Sequence, residues 1–263
     1  MNGSVRWRCC AALVALATTN ALAGEDAFRF EEGVARNPST STVMYREQHW
    51  TRSKDDKLVE RLVLYRCPDG TAFARKHVDY RGSAISPAFA FEDRRSGHRE
   101  GLRRNARPTL FFQAPGQSGE RLAVMKSDSL VADAGFDEFV RRQWSALLAG
   151  RSMPLDFALP SRLRSLPFSV RRQGQAVIAG EKAWVFRLKL DGWLGLVAPS
   201  IDVSYGQASR RLLRFQGLSN LRDDAGKDQL LARIDFPAPA TVSDESRWQS
   251  AAATPLSACR TGR

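Results

Sequence analysis

"KLVERLVLYRCPDGTAFARKHVDY" occupies residues 57–80, and its reading decides the fold. Val59, Arg61, Val63 and Tyr65 alternate with Leu58, Glu60, Leu62 and Leu64. A period of two is that of a strand, whose successive side chains point to opposite faces. Pro68-Asp69-Gly70 then supplies a turn, because proline presets one turn position and glycine accepts a left-handed one. "TAFARKHVDY" (residues 71–80) runs back. Two strands about a tight turn make an antiparallel hairpin.

The pattern extends both ways. Residues 43–50 alternate loosely before it, and "TLFFQ" (109–113) and "RLAVMK" (121–126) follow around Pro115-Gly116. Beyond residue 150, "PLDFALP", "PFSVRRQG", "KAWVFRLKLDG", "IDVSYG", "RRLLRFQG" and "LLARIDFP" continue in short alternating runs. In "KAWVFRLKLDG", Trp184, Phe186, Leu188 and Leu190 share a face, with Val185, Arg187 and Lys189 opposite. One segment breaks the rhythm. Across residues 132–150, Phe136, Phe139, Val140, Trp144, Leu147 and Leu148 recur at three- and four-residue steps. That stripe predicts one amphipathic helix, capped by Asp133, with Asp137 and Glu138 at its positive end and Gly150 at its stop. The expected fold is mainly β: a strongly curved antiparallel sheet, a half-barrel meander, with one amphipathic helix on its concave face.

The ends bound the domain and the compartment. Arg6 and Arg8 precede an apolar run that ends in Ala21-Leu22-Ala23. A basic start, a short apolar stretch and a small-x-small site read as a cleavable signal peptide over residues 1–23. The run is too short to span a bilayer, and no other segment is long and apolar enough. A periplasmic protein is expected, with free secretion as the alternative. Residues 24–237 then form the curved-sheet domain. Residues 238–263 are small and polar and read as a flexible C-terminal tail, with only Trp248 and Cys259 arguing for docking.

With 40 lysines and arginines against 28 acids, the chain carries a formal charge of +12. Such a surface attracts phosphates and anionic lipid headgroups, or serves solubility alone. For an exported chain nucleic acid is the least expected partner. Cys67 and Cys259 remain after the leader, and the periplasm permits a bridge. Cys67 borders a turn and Cys259 lies in the tail, so the sequence leaves that pairing open. Neither cysteine has a second ligand at C-x-x-C spacing, so no metal site is expected.

Candidate chemistry is sparse. "FEDRRSGHREGLRR" (residues 91–104) gathers Arg94, Arg95, Arg99, Arg103 and Arg104 around Ser96-Gly97, a hairpin tip. A two-residue turn there would set Asp93 against Glu100 and Arg94 against Arg99. A three-residue loop, Arg95-Ser96-Gly97, sets Asp93 against Arg99 instead, which opposite charges favour. The expected outcome is a hairpin whose five arginines meet an anionic surface. His49, His77 and His98 show no H-x-H or H-E-x-x-H spacing. "GQSGE" is not a nucleophile elbow, "NLRDDAGKD" lacks the calcium-loop order, and no glycine-rich phosphate loop follows a strand. No catalytic residue and no cofactor are predicted.

The aromatic residues give the other lead. Phe89, Phe91, Trp144, Trp184, Phe186 and Trp193 surround the expected helix-on-sheet region. They are either plain core or the lining of an apolar concavity that holds an acyl chain, with "GWLGLVAP" (192–199) at its lip.

"LYRCPDGTAFARKHVDY", "FEDRRSGHREGLRR", "VADAGFDEFVRRQWSALLAG" and "LLRFQGLSNLRDDAGK" resemble an uncharacterised family of exported proteobacterial proteins, which implies no activity. More remotely, a meander with a helix in an exported chain resembles the lipoprotein-carrier superfamily. That resemblance implies an unclosed β-barrel whose helices cover an apolar concavity for lipoprotein acyl chains, although one helix is visible here where carriers have several. The sequence thus supports a non-enzymatic periplasmic protein binding a lipid or lipoprotein acyl chain. Behind it stand an envelope interaction module with a filled core and a basic surface, and an exported hydrolase.

Overall fold

The computed structural model describes residues 26–127, 129–196 and 198–262. The expected signal peptide, residues 1–23, lies outside them. The chain builds one large, curved, unclosed antiparallel sheet. A first meander runs from β1 (Ala27–Arg36) through β2 (Val43–Lys54), β3 (Lys57–Arg66), β4 (Ala72–Asp79), β5 (Ala88–Asp93), β6 (His98–Arg104) and β7 (Pro108–Gln113) to β8 (Arg121–Val124). Each strand pairs with the next. After β9 (Leu130–Val131) and two helices, a second meander runs through β10 (Met153–Leu159), β11 (Arg164–Ile178), β12 (Glu181–Leu190), β13 (Ile201–Gly206), β14 (Leu212–Arg222) and β15 (Gln229–Asp235). β15 joins the meanders by pairing with β1, Val34 opposite Asp235. β9 pairs in parallel with β10. The path ends at β8 on one side and β9 on the other.

The helical stripe breaks in two. α1 (Gly135–Arg142) and α2 (Trp144–Leu148) meet at Gln143, whose backbone leaves the helical region (φ −92°, ψ 8°). Asp133 does not cap α1. It sits at φ +44° before the helix, and its carboxylate is taken by Lys76. Gly150 ends the helical segment at φ +80°, a conformation glycine adopts at little cost. The helices pack on the inner face of β10–β13, where Val140, Trp144 and Leu147 meet Val170, Phe186, Leu188, Val203 and Tyr205. They also touch the far wall, since Asp137 faces Arg61 of β3. The helical segment therefore lies inside the curve of the sheet.

The C-terminal segment is a correction to the expected flexible tail. Thr241–Ser243 forms β16 against Phe28–Phe30, the N-terminal part of β1, and α3 (Glu245–Ala253) follows. Asp244 caps α3 by accepting from the Arg247 backbone N–H at 2.9 Å. Ala251, Trp248 and Leu256 cover Trp50, Leu62, Leu64 and Ala72. The outer face of β3 is apolar because this strap lies on it. Cys259 is joined to Cys67, and Ser257 and Gly262 donate backbone hydrogen bonds to Ala72 and Met44.

Candidate functional site

The six aromatic candidates are not brought together. Phe89 packs with Val78, Leu102 and Leu110 near the β8–β9 ends. Phe91 lies with Tyr45, Tyr65 and Phe73 under the first meander. Trp144 stacks edge-on to Phe186 beneath the helices, centroids 5.4 Å apart. Trp184 flanks that cluster half-buried, with the Arg172 guanidinium over its ring at 4.9 Å. Trp193 stands 77% exposed on a 3₁₀ turn, Trp193–Leu196. Two open depressions of about 270 and 250 Å³ mark the surface, and none of the six lines either.

The hairpin arginines also part. Its loop has four residues, Arg94 to Gly97, with Asp93 opposite His98 and Glu92 opposite Arg99. The three-residue loop expected from charge would have set inward side chains against outward ones, and the buried faces of Phe89, Phe91 and Leu102 forbid that. Arg95 turns inward. Its side chain is 3% exposed, bonds Asp93 through Nε and Nη2 at 3.0 and 2.6 Å, reaches Asp224 at 2.9 Å and lies over Phe73. Arg99 and Arg103 share Glu120, and Arg104 donates to the Ser86 carbonyl. Only Arg94 and Arg99 of the five are well exposed, so the set is not one anionic-surface grip.

Sequence reading missed a charged interior. Lys76 pairs with Asp133 at 2.9 Å, Arg61 faces Asp137 at 3.7 Å, and the Tyr205 hydroxyl donates to Asp137 at 2.6 Å. Those contacts fasten the start of α1 to β3, β4 and β13. Burial opposes the charge on Arg61, but Tyr80, Asp137, Glu31 and Asp133 raise its pKa on balance. Burial likewise raises the Tyr80 and Tyr205 phenols, helped at Tyr205 by Asp137. The signal was available: Arg61 sits in the inward register between Val59 and Val63. Nearby, His49 bonds Glu47 at 2.9 Å, both buried. His98 is buried between Phe91 and Phe112, and His77 lies outside beside Trp248. Among the described residues no hydroxyl or thiol hydrogen-bonds a histidine ring, so the geometry of an activated nucleophile is not assembled at any of the three.

Cys67, Asp69 and Cys259 cluster closely enough for a metal, but the two sulfurs are bonded to each other. A disulfide offers no thiolate ligand.

The basic surface lies elsewhere. Residues 151–189, covering β10, β11 and most of β12, hold eight lysines and arginines against Asp156 and Glu181. Among the described residues, Arg187 alone of these eight has a carboxylate within 4.0 Å, that of Asp202. Arg171 and Lys189 are exposed on the outer face, and Trp193 projects just past the end of β12. The signal here was a local charge tally, overshadowed by the denser run at 91–104.

No family model and no curated protein matches the chain. Among solved structures it is similar to a beta-barrel-like protein of the domain of unknown function DUF1849 from Brucella abortus. Identity is 8%, 85% of this chain and 99% of that one are covered, and the TM-score is 0.48. MucB follows at 14% identity, 86% and 57% coverage and a TM-score of 0.30. A DUF1329 family protein from Desulfovibrio piger ATCC 29098 gives 9%, 84% and 87%, and 0.27. Likenesses this weak carry no argument about function. Among the described residues no helix is long and apolar enough to cross a membrane, which says nothing of strands.

Proposed function

We propose that the protein is a non-catalytic interaction module of the cell envelope that meets an anionic surface through the outer wall of β10–β12. One observation carries the reading: on that outer face Arg171 and Lys189 have no carboxylate within 4.0 Å among the described residues, Arg187 alone is paired, and an exposed tryptophan follows the end of β12. Basic side chains at an anionic surface contribute about 1 kcal/mol each. Tryptophan suits a boundary, with an apolar ring and a polar N–H. The Cys67–Cys259 bridge and the leader-like start support an exported protein. The test is co-sedimentation of the mature chain with phosphatidylglycerol and phosphatidylcholine vesicles. Retention on the first alone, lost near 1 M salt where the screening length falls to about 3 Å, is expected. Equal retention on both, or on neither, overturns the reading.

A second reading follows from the helices. α1 and α2 lie over Phe186 and Tyr205, and polar contacts from Arg61, Lys76 and Tyr205 hold them. Lifted, they would offer that aromatic floor to an acyl chain, as the lipoprotein-carrier resemblance implies. Native mass spectrometry of detergent-free protein, followed by organic extraction, tests it. A stoichiometric acyl species favours the carrier, and a clean apo mass counts against it.

A further inference from the structure

The outer face of the β10–β12 wall contains an arrangement that charge alone disfavours. In the β11–β12 ladder Arg171 stands directly opposite Arg187, and Ser169 directly opposite Lys189. Opposed side chains have Cβ atoms about 4.5–5.5 Å apart, and like charges at that spacing repel. Arg187 is relieved on its far side, where Nε and Nη2 bond the two Asp202 oxygens at 2.7 Å each. Among the described residues no carboxylate lies within 4.0 Å of Arg171 or Lys189. The nearby Asp191 is engaged by the Ser169 hydroxyl at 2.6 Å. Between these groups is the open depression of about 250 Å³, lined by Ser152, Ser169, Arg171, Arg187 and Lys189. It thus gathers three cations from two neighbouring strands, plus the Ser152 hydroxyl as a neutral donor.

We infer that this depression is a phosphate site, in which a tetrahedral phosphate oxyanion bridges Arg171 and Lys189 above Arg187, with Ser152 as a further donor. The chemistry selects the ligand. Guanidinium groups present paired N–H donors that match phosphate oxygens, and an ammonium adds a point charge. An anion seated there turns the repulsion between Arg171 and Arg187 into shared attraction. The phosphate belongs either to a lipid headgroup or to free phosphate. The inference rests on the proposed anionic-surface reading and narrows it to a named subsite.

The experiment uses the full mature chain, R171Q/K189Q, and R94Q/R107Q as a control that removes the same charge from exposed loop positions. Thermal unfolding is followed with inorganic phosphate added at constant ionic strength. A ligand that binds only the folded state raises the unfolding temperature. The wild type and R94Q/R107Q are expected to gain about 2–5 °C at saturating phosphate, and R171Q/K189Q to gain none. Without phosphate, R171Q/K189Q is expected to melt no lower than the wild type, since its loss relieves a repulsion. Equal responses from all three proteins, no response from any, or a lower starting temperature in R171Q/K189Q overturns the site. A vesicle arm separates the two levels. Phosphate binding without retention on phosphatidylglycerol keeps the site, makes free phosphate its ligand and sinks the anionic-surface reading. Undiminished retention of R171Q/K189Q keeps that reading and removes the lipid headgroup as the ligand: the site then stands for free phosphate where the variant has lost its thermal response, and is sunk where it has not.

Discussion

Arg95 shows how far a residue's place differs from its composition. In the sequence it is one of five arginines in a polar hairpin, and in the fold its side chain is 3% exposed against a carboxylate with no exposure, Asp93. Removing one partner of a buried pair leaves the other charged and desolvated, which costs about 3–5 kcal/mol. Arg95→Ala is therefore expected to lower stability by that amount in urea unfolding, with Asp93→Asn in the same chain recovering much of it. A loss below about 1 kcal/mol would mean that water reaches Asp93. The tryptophans divide in the same manner. Trp144 is buried against Phe186 and Tyr205, so Trp144→Ala is expected to cost about 3–5 kcal/mol. Trp193 is 77% exposed, and Trp193→Ala is expected to change stability by less than about 0.5 kcal/mol. Equal costs would place both in one packed or ligand-lined site. Composition made both residues visible, but burial depends on strands far away in sequence.

At the scale of elements the strands were the legible part, because alternation is a local property. The inward and outward sets of β3 match the two faces read from residues 57–66. Breaks were less legible. The Gln143 interruption leaves the apolar spacing of the stripe intact, so periodicity runs through it. The strap was missed because α3 buries little of its own and borrows an apolar strip from β2 and β3. Its cap, Asp244 ahead of Arg247, was the available signal. The bridge to Cys67 closes a loop with a sequence separation of 192, for which the chain-entropy account gives about 5 kcal/mol as an upper figure. Cys67→Ser/Cys259→Ser is expected to leave the sheet folded and to release the strap first. Limited trypsin digestion would then cut at Arg247 or Arg260 before any site in β1–β15. Simultaneous cleavage throughout would show instead that strap and sheet unfold as one unit. Gly101 tests the sheet itself, since an added Cβ would run into the Phe89 carbonyl and the Phe111 ring. Gly101→Ala is expected to cost at least about 1–3 kcal/mol by chemical unfolding, and an unchanged midpoint would contradict the β5–β6 register.

For the whole molecule, two meanders were readable but not their seam. β1 and β15 pair through residues about two hundred positions apart, Arg36 opposite Arg233, and no local pattern encodes a partner at that distance. The inward register of Arg61 was legible but its partner was hidden for the same reason, because Arg61 and Asp137 meet only when the helix is carried inside the sheet. This single interior has a consequence at high pH. The chain has four tyrosines, Tyr45, Tyr65, Tyr80 and Tyr205, and all are buried. Burial, the first cause in each, raises every phenol above its ordinary value. Glu47 adds to the effect at Tyr45 and Tyr65, and Asp137 adds at Tyr80 and Tyr205. Below about pH 10, folded and unfolded chains both keep these protons, and the tyrosines cost nothing. Above it the unfolded chain gives them up while the fold retains them, so stability falls as pH rises, by about 1.4 kcal/mol per pH unit for each tyrosine. The phenols lie in both meanders and under the helix, so fraying of one edge cannot ionise all four. Tyrosinate absorbance is therefore expected to appear together with the loss of near-ultraviolet circular dichroism, in one step above pH 10. A gradual tyrosinate rise centred near pH 10 with the dichroism intact would put at least one of the four in water, and would break the picture of a continuous interior spanning both halves of the sheet.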